Sequence, residues 1–145
     1  MTRRIVIAAA VLTACRGGGS VLDRQPFPAA WTADIAALGE HGQSGFATVS
    51  VLPEGGTRAN ATLSGGSAGG NHPWVLQEGT CESDGPVIGD AEAYPILRPN
   101  ERGNASGTTT LDLSLSADKQ YALRIYQSPE DRETLVGCGN LQSNR

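Results

Sequence analysis

Histidine is almost missing from this chain, with two in 145 residues. Any site built from three or four imidazoles is excluded before a motif is sought. Lysine is scarcer still, with Lys119 alone, and the arginines are scattered. The balance of 11 basic against 15 acidic groups gives a formal net charge of −4. A nucleic-acid partner needs a clustered basic face for phosphate, so that class of partner is set aside. The apolar run Ile5 to Leu12 is too short to span a bilayer as a mature helix, and no later segment offers a longer one. What is present is one ordinary globular composition: 39% hydrophobic residues with 19 glycines, at a length that holds one core.

The N-terminus reads as an address. Met1-Thr2-Arg3-Arg4 is basic, Ile5 to Leu12 is apolar, and Leu12-Thr13-Ala14-Cys15 ends the stretch in small residues. These are the three regions of a secretory signal, here residues 1–14, which stands apart from the fold. The Leu-Thr-Ala-Cys end resembles a bacterial lipobox, which implies lipid modification of Cys15. The alternative is ordinary cleavage after Ala14 without lipid. Residues 15–28, with Arg16-Gly17-Gly18-Gly19-Ser20 and Gln25-Pro26-Phe27-Pro28, read as a tether that lifts the domain from a membrane. The expected location is therefore the extracytoplasmic side of a bacterial envelope, with the membrane itself as one partner. Without residues 1–14 the balance becomes 9 basic to 15 acidic groups. The domain is expected over residues 29–145.

Within it, alternation recurs. Phe46 to Val51, Leu111 to Ser116 and Tyr121 to Tyr126 each place apolar residues on one face, which is the pattern of half-buried strands. Asn60 to Leu63, Pro73 to Glu78 and Thr134 to Val136 are shorter candidates. Ser64 to Gly70 and Gly103 to Gly107 supply turns. Trp31 to Leu38 fits a helix face and a strand equally; a strand agrees with the rest, with a hairpin at Gly39–Gly45. The expected fold is an all-β sandwich or barrel. With Cys15 assigned to lipid, Cys81 and Cys138 remain. In an exported domain such a pair reads as a disulfide, worth about 4 kcal/mol in the chain-entropy model. Two reduced, buried cysteines are the competing reading.

His72-Pro73-Trp74-Val75-Leu76-Gln77-Glu78-Gly79-Thr80-Cys81 resembles the signature strand of copper/zinc superoxide dismutase-like proteins. Small exported members read His-Pro-Trp-His-x-His-x-Gly-Thr-Cys there. Leu135 to Leu141 resembles the family's terminal strand, whose Cys bonds to the earlier one; Gly45 to Val49 and Ala93 to Leu97 add to the likeness. It implies a Greek-key β-sandwich of about eight antiparallel strands with one disulfide. In the family, a His-x-His pair puts two rings on one face of a strand and grips copper. Those positions here are Val75 and Gln77. A further ligand position falls on Tyr126, the zinc loop (Glu82 to Tyr94) lacks His, and the anion-steering Arg is replaced by Leu135. His72 matches a structural histidine, and His41 lies in a turn.

The resemblance and its gaps together imply a scaffold without its catalyst: no cofactor, no catalytic residue, and a binding or structural module of the envelope whose protein or small-molecule ligand is unnamed. The competing expectation is a metal carrier or dismutase with a rearranged copper or zinc site, built from His72, Tyr126 and the acids Asp84, Asp90 and Glu92. Those acids otherwise read as solvated surface. Tyr126, beside Arg124 and Gln127, is a candidate for a binding face on the side where the family holds metal.

Overall fold

Side chains that alternate between apolar and hydroxyl-bearing types dominate the first third of the described chain, and they form paired strands. A computed structural model describes residues 29–144; the expected signal, Cys15 and the expected tether lie outside that range. Eight antiparallel strands follow one another: β1 (Ala29–Ala37), β2 (Ser44–Val51), β3 (Thr57–Ser64), β4 (Trp74–Glu78), β5 (Ala105–Leu111), β6 (Tyr121–Tyr126), β7 (Leu135–Asn140) and β8 (Gln142–Ser143). Their lateral order is β4-β6-β7-β1-β2-β3-β5, with β8 also on β1. The first three strands are joined by hairpins. The chain then crosses to β4, returns to β5 beside β3, and crosses again to β6 beside β4, in Greek-key fashion.

The curl of this sheet turns on β1. Its first residues pair with β2, from Ala29 opposite Ser50 to Ile35 opposite Gly45, whereas Ala36 and Ala37 pair with Cys138 and Gly137 of β7. One strand thereby serves both walls of the sandwich. The walls approach closely at the corner: a Cβ on Gly139 would stand 2.6 Å from the Asp34 carbonyl oxygen, so only glycine fits. Trp31, Ala33 and Ile35 are buried while Asp34 between them is exposed, so the ambiguous segment is a strand with its apolar side inward.

The core mixes small and large side chains. Ala33, Ala47, Ala59 and Ala61 come from the β1–β3 wall; Trp74, Leu76, Leu123 and Ile125 come from the β4–β6 wall, and all belong to one cluster. The aromatic pair Trp31–Tyr121 meets edge-on at 6.2 Å.

Two expectations need correction. Leu111 to Ser116 is not a strand of its own, since Leu111 ends β5 and the residues after it are unpaired with any strand, and the Gly103 to Gly107 turn ends early because β5 begins at Ala105. The ladder decides this: β5 pairs with β3 from Leu63–Ala105 to Thr57–Leu111, and beyond Thr57 no partner backbone remains. Leu111 and Leu115 still bury their side chains, and the Thr57 hydroxyl donates to the Leu113 carbonyl at 2.7 Å. Apolar alternation there records the closing of the sandwich end.

Leu123 is fully buried, so Leu123→Ala is expected to lower unfolding free energy by about 2–5 kcal/mol in a denaturant titration. Thr110→Ala, on the exposed face of β5, is expected to shift it by less than about 0.5 kcal/mol.

Candidate functional site

β4 reads as an alternating strand but is buried on both faces at Trp74, Val75, Leu76 and Gln77. The chain between β4 and β5 folds back over it. Residues 86–88 run along the free edge of β4, with Glu78 N–H donating to the Pro86 carbonyl at 3.0 Å and Ile88 N–H to the Leu76 carbonyl at 2.9 Å. That contact closes an edge that would otherwise present unpaired backbone. Farther on, Tyr94 packs edge-on against Trp74 with centroids 5.0 Å apart. The Trp74 Nε1–H donates to the Pro95 carbonyl at 2.7 Å, and the Tyr94 hydroxyl to the Ile88 carbonyl at 2.6 Å.

The outer face of β4 and β6 is covered by the turn at residues 80–84. Gln77 lies under it, and its amide donates to the carbonyls of Thr80 (3.2 Å) and Ser83 (2.9 Å). Arg124 of β6 sits opposite Val75 on one side and Cys138 on the other. Its Nη2 donates to the Ser83 carbonyl at 2.9 Å and the Cys81 carbonyl at 3.2 Å; its Nη1 donates to Asp84 Oδ1 at 2.7 Å. The guanidinium is buried, whereas the Asp84 side chain is 96% exposed. Solvent therefore weakens the ion pair, and the carbonyl bonds carry most of the attachment. The planar fork suits this task, because it reaches several acceptors at fixed angles. Arg124 Nε is buried and has no partner.

The same turn is tied covalently. Cys81 and Cys138 form the expected disulfide, with Cα atoms 6.0 Å apart, fixing the turn to β7. The Cys81 N–H donates to Asn140 Oδ1 at 2.7 Å. A disulfide and a guanidinium thus hold one turn from neighbouring strands.

The remaining singled-out residues disperse. His72 is buried at the entry to β4: its Nδ1–H donates to the Tyr126 backbone carbonyl at 3.1 Å, which leaves Nε2 to accept from the Gln43 amide at 2.7 Å. Gln43 Oε1 is then buried without a partner. His41 is exposed in the β1–β2 turn, Tyr126 is half-buried, and Leu135 stands opposite Tyr126 on β7. Asp84 is held by Arg124, while Asp90 and Glu92 are exposed. Among the described residues, no three His, Cys, Asp or Glu side chains gather as a metal-holding group. A binding face of Tyr126 with Arg124 and Gln127 does not form, because Arg124 is buried beneath the turn. Arg124, expected beside Tyr126 on a binding face, instead serves as a buried clamp on the turn. Strand alternation sets it on the face opposite Leu123 and Ile125, but the pairing with Val75 and Cys138 that brings it under the turn comes from the register of β4, β6 and β7. Comparison with models of known families and with curated proteins gave no match.

Two outcomes follow from this geometry. Arg124→Met strands the Cys81 and Ser83 carbonyls and is expected to destabilise the fold by about 2–3 kcal/mol in denaturant, with Arg124→Lys a poor substitute and Asp84→Asn nearly silent. Burial pushes the Tyr94 hydroxyl up to about 12 from an ordinary 10.0, with a weaker opposing backbone contact from Leu76. The neutral phenol is favoured in the folded state, so its stabilisation is complete below pH 10 and is lost as pH rises toward 12. Denaturant midpoints across that range are expected to fall, and to fall less in Tyr94→Phe.

Proposed function

We propose that this chain is an envelope-tethered binding or structural module, a relative of the copper/zinc superoxide dismutases whose scaffold has outlived its metal chemistry. The observation that carries this reading is the Gln77–Arg124 pair. Both side chains occupy the outer face of β4 and β6, where the resemblance puts copper ligands, and both are committed to carbonyls of the 80–83 turn. Val75 has no donor atom. The Gln77 N–H groups point at other acceptors, and the buried guanidinium adds a fixed positive charge that opposes a divalent cation. These residues do not fit copper or zinc, and no redox step is assigned to them. A fold and the site grafted on it are separable, and a guanidinium that organises a turn is a reasonable successor to an ion that did so.

The eight-stranded all-β architecture and the Cys81–Cys138 bond agree with the family's plan. The lipobox-like Leu12 to Cys15 and the Gly-rich stretch after it support an N-terminal lipid anchor holding the domain outside the cytoplasm.

Elemental analysis tests the proposal. Purified protein, loaded with copper and zinc and then dialysed, is expected to retain far less than one ion per chain and to leave superoxide dismutation at the background rate. Stoichiometric copper together with dismutation would overturn it.

A further inference from the structure

The wall formed by β1, β2, β3 and β5 has a second face, turned away from the core. Strand register sets its side chains in rows. One row runs Asp34–Phe46–Thr62–Ser106, and the next Thr32–Thr48–Asn60–Thr108. Hydroxyl and amide groups fill most of this surface, and its charged residues are Asp34, the cross-strand neighbour of Phe46, and Arg58. That is unusual for an acidic chain carrying 15 carboxylates. Threonine's preference for strands accounts for the hydroxyls but not for Phe46. The chain has few aromatics, Trp31, Trp74, Tyr94 and Tyr121 are buried in the core, and Phe46 is 43% exposed in the middle of a polar face.

A cleft of about 410 Å³ adjoins it, lined by Thr62, Ser106, Asn100 and Asn104 with the chain at Leu63 and Ala105. None of these side chains is charged. Asn100 Oδ1 accepts from the N–H groups of Arg102 (2.9 Å) and Asn104 (3.1 Å), so its NH2 is left to donate. The Thr62 hydroxyl donates to the Phe46 carbonyl at 3.1 Å, so its oxygen can still accept. Phe46 and Thr62 are cross-strand partners, which sets the strand that carries Phe46 about 5 Å from the one that lines the cleft.

We propose that this face binds a neutral polysaccharide chain, with one sugar ring stacked on Phe46 and its neighbour in the Asn100–Asn104 cleft. A sugar ring has an apolar C–H face that suits an aromatic ring, and an equatorial rim of hydroxyls that both donate and accept. The strand spacing is close to the length of one sugar unit, so the hydroxyl rows repeat near the ligand's own period. The charge pattern argues for the same occupant: an anionic chain would call for clustered Arg or Lys, and an apolar protein partner for a broader apolar patch than one phenylalanine. The proposal rests on reading the chain as a binding module and is independent of the absent metal chemistry.

Titration of the full chain with cellohexaose and hexa-N-acetylchitohexaose, followed by NMR and calorimetry, tests it. Saturable binding of at least one neutral hexasaccharide is expected, insensitive to salt. Phe46→Ala is expected to weaken it about tenfold, about 1.4 kcal/mol, with Phe46→Trp retaining it and Asn104→Ala weakening it. An unchanged fold in each variant is checked by circular dichroism. The proposal falls if neither hexasaccharide binds, if Phe46→Ala binds as well as the parent, if oligogalacturonate binds more tightly in a salt-dependent way, or if Phe46 proves to hold two copies of the chain together. Metal content is measured on the same preparation. Copper retention would overturn the preceding reading and leave the titration result standing, while loss of sugar binding in metal-free protein would overturn this one alone.

Discussion

A buried guanidinium organises the side of the molecule where the resemblance points. Arg124 projects from β6 under the 80–84 turn, and the backbone carbonyls that bind it belong to a segment with little apolar surface of its own. Exposed carbonyls near a low-dielectric wall need donors, and a desolvated cation needs acceptors, so each resolves the other's cost. Gln77 adds two more donors beneath the same turn. The disulfide shortens the distance over which the chain can wander, but it fixes only Cys81; the hydrogen bonds set how the rest of the turn lies. With Gln77 and Arg124 held under that turn and Val75 paired with Arg124, β4 is buried on both faces despite sitting at the end of the strand order.

The two solvent sides of the sandwich are consequently different kinds of surface. On the β4–β6 side, loop chain covers the sheet and directs its polar groups inward. On the β1–β2–β3–β5 side no described segment lies over the strands, and alternating hydroxyls and amides form the outer face. The core separates the two faces, and β1 is the strand that runs into both walls.

Much of the fold was legible in the residue pattern. Period-two alternation located β2 and β6, and the signature stretch located β4. The all-β class, the strand count and the Cys81–Cys138 pairing agree with the structure. The miss at Leu111 to Ser116 has a definite cause: alternation reports which side chains are buried, not whether a neighbouring backbone is within reach, and β3 has no residue left to pair with them. The site was less legible. Val75, Gln77 and Tyr126 could be read as lacking the imidazoles that the resemblance leads one to expect, but the part played by Arg124 could not, because it acts on carbonyls that carry no sequence signature. Phe46 was likewise read as one more alternating apolar residue. Its outward position emerges only when the register pairs it with Asp34 and Thr62 and leaves Ala47 and Val49 to the core.

The sharing of β1 between the two walls has a kinetic side. Hairpins β1–β2–β3 are local and can assemble on their own, yet the tail of β1 at Ala36 and Ala37 waits for Cys138 and Gly137, a hundred residues downstream. Contacts so distant along the chain are slow to form. Closure of the corner is therefore a late event, and until it happens the alanine-lined wall stands open with its apolar interior exposed to whatever else is nearby.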